Sequence, residues 1–163
     1  MDLMNKDATT SVNLLDFLPD TAVNLDLQSA SKKEVLKELV NNLATAHKIK
    51  NPEKILASLL EREELGSTGI GQGIAIPHGK SDSVKDVAAA LGITKKGIEF
   101  DALDGEPVYL FFMLVVPTNA AGIHLKILAK VSRLLKDKFF RQALREAKSP
   151  QDALKLIKEE NDY

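Results

Sequence analysis

The 163-residue chain contains no cysteine. That absence excludes thiolate nucleophiles, Cys-ligated zinc, iron–sulfur clusters and disulfides, and it fits a reducing compartment. An excess of charge of one sign is also missing, since 22 Lys plus Arg stand against 23 Asp plus Glu for a formal net charge of −1. The broad positive field of a non-specific nucleic-acid binder is therefore lacking, and no nucleic-acid partner is expected. There is no long apolar run either. The longest, Val108–Val116, stops at Pro117, well short of the roughly 18 to 20 residues of a membrane span, so no membrane insertion is expected. Residues 1–11 carry Asp2 and Asp7 and no apolar region, which is not a secretory signal; the expected location is cytoplasmic. What is present is 44% hydrophobic residues, enough in a chain of this length for one self-standing core.

The chain alternates strands and helices. Residues 1–13 are polar and read as a flexible N-terminal segment, followed by a domain over 14–160 that opens with an apolar clasp of Leu14, Leu15, Phe17 and Leu18. A brief strand is predicted at 23–27. Ser31 and Glu34 have capping-box spacing, and Val35, Leu36, Leu39, Val40 and Leu43 recur at helical intervals to His47. Asn51 and Pro52 start a second helix that carries Ile55, Leu56, Leu59 and Leu60 and ends at Gly66. Strands are predicted at 74–76, 87–93 and Val108–Val116, with a turn at Asp104-Gly105. Helical patterns fill 124–136, with Leu125, Ile127, Leu128, Val131, Leu134 and Leu135 on one face, then 139–147, then a closing helix after Ser149-Pro150. The expected fold is a single α/β domain, a mixed β-sheet flanked by helices on both faces.

Four of the nine glycines lie in Gly66-Ser67-Thr68-Gly69-Ile70-Gly71-Gln72-Gly73, which reads as a loop. It is not a dinucleotide fingerprint: the spacing differs from G-x-G-x-x-G, and the segment follows a helix and precedes a strand. It is not a Walker A loop, because five residues separate Gly73 from Gly79-Lys80-Ser81 and Pro77 has no N–H to offer a phosphate. A flexible surface turn is the plain alternative.

Only His47, His78 and His124 are available for imidazole chemistry. His47, at the end of the first helix, reads as a surface cap and is given no role. His78 stands between Pro77, with its fixed φ, and Gly79, which allows close backbone approach; it is either a presented side chain or a structural histidine at a strand end. His124 opens a helix whose N-terminus favours an anion and a neutral imidazole. A metal site would need a carboxylate such as Asp82 or Glu64, and no zincin spacing is present. A Ser67–His78–Asp triad would lack the G-x-S-x-G elbow.

The run Arg62-Glu63-Glu64-Leu65-Gly66-Ser67-Thr68-Gly69-Ile70-Gly71-Gln72-Gly73-Ile74-Ala75-Ile76-Pro77-His78-Gly79-Lys80 closely resembles the phosphorylation-site region of the IIA domains of the bacterial phosphoenolpyruvate-dependent phosphotransferase system, fructose/mannitol type. Val116-Pro117 followed by His124-Leu125 and Leu128-Ala129 resembles that family's second-histidine helix. The likeness spans about residues 14–157, and its N-terminal lead is most similar to stand-alone nitrogen-regulatory IIA proteins.

The resemblance implies that His78 accepts a phosphoryl group from a small phosphocarrier protein (HPr-like, or NPr-like in the nitrogen branch), becoming a tele-phosphohistidine. It further implies that His124 orients that group and Arg62 stabilises its charge, while Ser67, Thr68 and Gly79 bind it. A neutral imidazole with an ordinary pKa of about 6.5 suits this work, because it is nucleophilic at pH 7 and leaves again. No metal or other cofactor is required by that chemistry. Read on its own, Arg62 could equally pair with Glu63 or Glu64 at the helix end. Regulatory partners are implied downstream; the alternative is a sugar-specific IIA passing phosphate to a IIB cysteine. Without cysteine or length for a IIB or membrane IIC domain, the acceptor is expected on a separate chain. A binding module without turnover is a third class, and docking is expected to use an apolar patch from Ile70, Ile74 and Ile76.

Overall fold

The computed structural model describes residues 12–161. Most of the expected flexible segment, 1–13, lies outside them. Asn13 is inside, and its side chain accepts from the Leu15 N–H to start a 3₁₀ turn, Leu14–Asp16. Leu14 and Leu18 are buried, so the apolar clasp closes onto the core.

Helix α1, Lys32–His47, is capped by Ser31, whose hydroxyl oxygen accepts from the Glu34 N–H. Its stripe of Val35, Leu36, Leu39, Val40 and Leu43 is buried, as the 3.6-residue period requires. Helix α2, Pro52–Glu64, begins with proline at its first position, where a missing N–H costs nothing. The sheet comprises β1 (Val23–Asn24), β2 (Gly69–Gly71), β3 (Ile74–Ala75), β4 (His78–Lys80), β5 (Ala88–Ile98) and β6 (Val108–Val116). Three helices follow: α3 (Ala121–Leu135), α4 (Lys138–Arg145) and α5 (Pro150–Asn161).

The sheet order is β1-β5-β6-β3-β2, with β4 also pairing β6. β5 and β6 run antiparallel, Leu91 opposite Phe112. β3 and β4 lie one after the other along the far edge of β6, parallel to it, with Ile74 opposite Leu110 and His78 opposite Leu114. Between them Pro77 still accepts from the Leu114 N–H through its carbonyl at 2.9 Å, but it has no N–H to donate, which suits the join between the two short edge strands.

β6 is buried almost throughout because helices cover both faces of the sheet. On one face Gly92 lies under Leu27 and Leu39; on the other Leu91 and Phe112 meet Val131, Leu135, Phe140 and Ile157. A Cβ at Gly92 would stand 2.6 Å from Leu39 Cδ2 and 2.8 Å from Leu27 Cδ1. Gly92→Ala should therefore cost about 1–3 kcal/mol by overpacking, seen as a lower denaturation midpoint at unchanged m-value.

Three expectations need correction. The glycine-rich segment is not all loop: β2 and β3 form an antiparallel hairpin, turning where Gly71, Gln72 and Gly73 have φ of 97°, 59° and 79°. Glycine tolerates positive φ, so residues that suggested a loop also permit this tight return. Leu125 is exposed rather than part of the buried face of α3. His47 is no surface cap, for its Nε2 lies 3.0 Å from the Ala89 carbonyl oxygen and ties α1 to β5.

Candidate functional site

His78 and His124 come together at the C-terminal end of β6. β4 carries His78 beside Leu114, and the chain leaves β6 at Val116 to reach α3, where His124 is the fourth residue. Their ring centroids are 5.2 Å apart, with planes tilted by 51°.

The His78 ring is fixed by its own strand entry. Nδ1 lies 2.7 Å from the Ile76 carbonyl oxygen. A carbonyl only accepts, so Nδ1 carries the proton and Nε2 is left with its lone pair. Burial is the largest influence on its pKa and pushes it below the ordinary histidine value. The Ile76 bond opposes that, the Arg62 charge adds to it, and the Glu63 charge opposes it. His124 is lowered too, by burial first and then by the charges of His78, Lys80 and Arg62. Its Nε2 is buried and has no hydrogen-bond partner among the described residues. A buried polar atom in that state requires an explanation.

Arg62, in the last turn of α2, does not form the carboxylate pair considered from sequence. Its Nη1 donates to the Gly66 carbonyl at 2.8 Å, which holds a cation near both imidazoles. The N-terminus of α3 adds positive potential: its N-cap, Ala120, has no side-chain cap, and the backbone ladder begins with His124 N–H to Ala120 O at 3.2 Å. The His124 N–H is thus itself committed to the helix.

Ser67 and Thr68 serve the loop. Ser67 Oγ donates to the Phe100 carbonyl at 2.8 Å and accepts from the Gly69 N–H at 3.0 Å. Thr68 is 3% exposed and its hydroxyl donates to the Glu63 carboxylate. A hydroxyl has one proton, so in this structure neither side chain has one left for an incoming anion or, in a Ser67–His78 triad, for an imidazole. Gly79 is accounted for by packing: a Cβ there would stand 3.0 Å from Ser58 Oγ on α2, and that hydroxyl donates to the Lys80 carbonyl.

Two charged residues, Glu63 and Lys80, take places in the site that the sequence reading did not give them. Glu63 is buried, extending the Ile55 and Leu59 stripe by one more four-residue step, and its Oε1 pairs with Lys32 Nζ at 3.0 Å. Lys80 is two residues beyond His78 on the same strand face, and its charge reaches His124. Those spacings were the available signals. Ile74 and Ile76 are buried core, while Leu65, Ile70, Leu103, Ile123 and Leu125 are exposed, so only Ile70 of the proposed patch is available for docking. A cleft of about 580 Å³ between 47–51 and 82–88 includes neither His78 nor His124. Among the described residues, no three His, Asp or Glu side chains are grouped to hold a metal, and no helix is long and apolar enough to cross a membrane.

Comparison with known proteins places this site in context. Residues 16–160 match the model of the phosphoenolpyruvate-dependent sugar phosphotransferase system, EIIA 2. The chain is 36% identical over 146 residues to the PTS system fructose-specific EIIABC component of Bacillus subtilis, covering 90% of this chain but 23% of that protein. It is also 36% identical over 138 residues to the nitrogen regulatory protein of Bradyrhizobium diazoefficiens, covering 85% and 90% of the two chains. The crystal structure of nitrogen regulatory protein IIA-Ntr from Neisseria meningitidis superposes with a TM-score of 0.82 at 36% identity, covering 88% of this chain and 98% of that one.

Proposed function

This chain belongs to the phosphoenolpyruvate-dependent sugar phosphotransferase system EIIA 2 family, and we propose on that premise that it is a phosphohistidine relay in which Nε2 of His78 accepts the phosphoryl group. The observation that carries the reading is the 2.7 Å bond from His78 Nδ1–H to the Ile76 carbonyl, which leaves Nε2 as the nucleophile. Nε2 forms a bond to phosphorus as the bond from phosphorus to the donor carrier breaks, its electron pair leaving with the donor. The group brings about −1.5 to −2 charge. Arg62, Lys80 and the N-terminus of α3 are the positive groups that offset it, and His124 is the side chain beside His78 that can donate to a phosphoryl oxygen. No step requires a metal.

The exposed Leu65, Ile70 and Leu103, with Ile123 and Leu125 flanking His124 in sequence, are the apolar side chains available for docking a phosphocarrier. The reading favoured downstream is regulatory, with the phosphorylation state controlling partner proteins in the cytoplasm. It is supported by the likeness to IIA-Ntr over 98% of that chain. The equal identity to the fructose-specific EIIABC component favours a second reading, transfer to the cysteine of a IIB domain. Mixing the phosphorylated protein with candidate IIB proteins separates them: rapid transfer to one sugar-specific IIB contradicts the regulatory reading, and retention of the label sustains it.

The lowered His78 pKa gives a pH profile. Protonation of Nε2 removes the nucleophile, so the phosphorylation rate should reach its half-maximum below about 6.5, the ordinary histidine value, rather than at it. A half-maximal rate at or above that value would contradict the buried, neutral imidazole. Stability has the same sign. Below about 6.5 the unfolded chain binds more protons at His78 and His124 than the folded one, so stability falls with acidification until the folded imidazoles protonate. His78→Ala should flatten part of that slope in denaturant titrations between neutral and mildly acidic pH.

A further inference from the structure

Glu63 has no part in the transfer just described, yet it is a buried carboxylate beneath the site. We propose that Glu63 is a positioning residue for His78, fixing the tautomer and direction of the imidazole through Thr68 and Ile76. The kinetic part of this proposal rests on His78 being the phosphoryl acceptor; the tautomer part does not.

A continuous line of hydrogen bonds carries the inference. Lys32 Nζ, at the start of α1, pairs with Glu63 Oε1 at 3.0 Å. The same oxygen accepts from the Thr68 N–H at 3.1 Å, and Oε2 accepts from the Thr68 hydroxyl. Thr68 is thus gripped by two donors at the point where the chain turns from α2 into β2. Its carbonyl accepts from the Ile76 N–H at 3.0 Å. The Ile76 carbonyl in turn accepts from His78 Nδ1–H. Each link is the opposite end of a residue already held by the preceding one, so the carboxylate holds the Ile76 peptide from its N-terminal side, while the Leu114 N–H to Pro77 carbonyl bond holds the following residue.

That placement matters because Ile76 and Pro77 form the short join between β3, which ends at Ala75, and β4, which resumes at His78. There the Ile76 N–H is held by the Thr68 carbonyl, at the base of the β2–β3 hairpin, and the Pro77 carbonyl by the Leu114 N–H at 2.9 Å. Should Thr68 shift, the Ile76 carbonyl can rotate away from Nδ1, and the proton becomes free to sit on Nε2. An imidazole with its proton on Nε2 has its lone pair on Nδ1 instead, turned away from the atom that is to meet phosphorus. Neighbouring contacts confine the assembly. Gly66 N–H donates to the Glu63 carbonyl at 3.1 Å, and the Lys32 ammonium lies 4.7 Å from the centre of the Phe100 ring.

Three variants test the proposal. Glu63→Gln removes the charge, Thr68→Val removes one donor while keeping the β-branched shape, and Thr68→Ser keeps both donors. In the wild type and in Thr68→Ser, nitrogen NMR of His78 above its pKa should show Nδ1 with the pyrrole-like signal and Nε2 with the pyridine-like one. Glu63→Gln and Thr68→Val should show the two signals drawn together, as for exchanging tautomers. Labelling from a phosphorylated phosphocarrier protein should slow by about 10- to 100-fold in these two, the scale of a misplaced reacting atom, and recover in Thr68→Ser. If Glu63→Gln does not fold, the Thr68→Val and Thr68→Ser pair makes the same comparison. A single Nδ1–H tautomer retained in Thr68→Val, or an unchanged labelling rate, overturns the proposal. If the wild type itself were unlabelled, the acceptor reading would fall while the tautomer comparison still decides this one.

Discussion

His78→Ala should take up no phosphoryl group above background from a phosphorylated carrier, while its circular dichroism stays that of the wild type. The loss is expected to be complete because no other side chain combines a nitrogen lone pair with this setting. The His78 ring is half-buried and hydrogen-bonded to a carbonyl, so Nε2 is the exposed nucleophile. His124 is adjacent at 5.2 Å between ring centres, and it is the group that could take over. Its Nε2 is buried, however, and an atom closed off in that way is poorly placed to meet a carrier-borne phosphorus. Label on His124 in the variant would show that the acceptor had been misassigned.

His124→Ala should leave His78 as the acceptor but lower the transfer rate by about 10²- to 10³-fold, the usual effect of removing one preorganised donor from a developing oxyanion. Burial and three neighbouring positive or protonatable groups hold this imidazole neutral near pH 7, and a neutral ring donates one N–H. In low-dielectric surroundings such a bond to a phosphoryl oxygen is stronger than its counterpart in water. His124→Gln restores a donor on a side chain of similar reach and should recover part of the rate. Unaltered kinetics in His124→Ala would remove it from the site. Neither variant should unfold the domain, since the α3 core positions Ile127 and Val131 are untouched.

The framework of the fold is legible in the sequence where one signal is dominant. Helical periodicity after Ser31 gives α1 to within a residue, and the unbroken apolar run of β6 has no other use than a strand buried on both faces. The histidine pair is legible because the chain has so few histidines and both sit at element edges. Less legible are features that depend on tertiary pairing. β2 is Gly69, Ile70 and Gly71, a single strand former between two glycines, which are depleted in strands, and it exists because Thr68, Gly69 and Gln72 bond respectively to Ile76, Leu103 and the Asp104 side chain. Ile70, Ile74 and Ile76 look alike in sequence, yet only Ile70 faces out. The register of the hairpin decides that, not composition. The family resemblance implies that Ser67 and Thr68 bind the phosphoryl group, but it does not show where their hydroxyl protons point in the unphosphorylated protein. Their protons go to Phe100 and Glu63, acceptors that the sequence places 33 and 5 residues away.

The most direct test of the whole account is the assignment of the phosphorylated atom. After incubation with a phosphorylated phosphocarrier, combined phosphorus and nitrogen NMR of the labelled protein should show phosphorus coupled to Nε2 of His78, with Nδ1 still protonated against the Ile76 carbonyl. Phosphorus on Nδ1 of His78, or on any other residue, would contradict it.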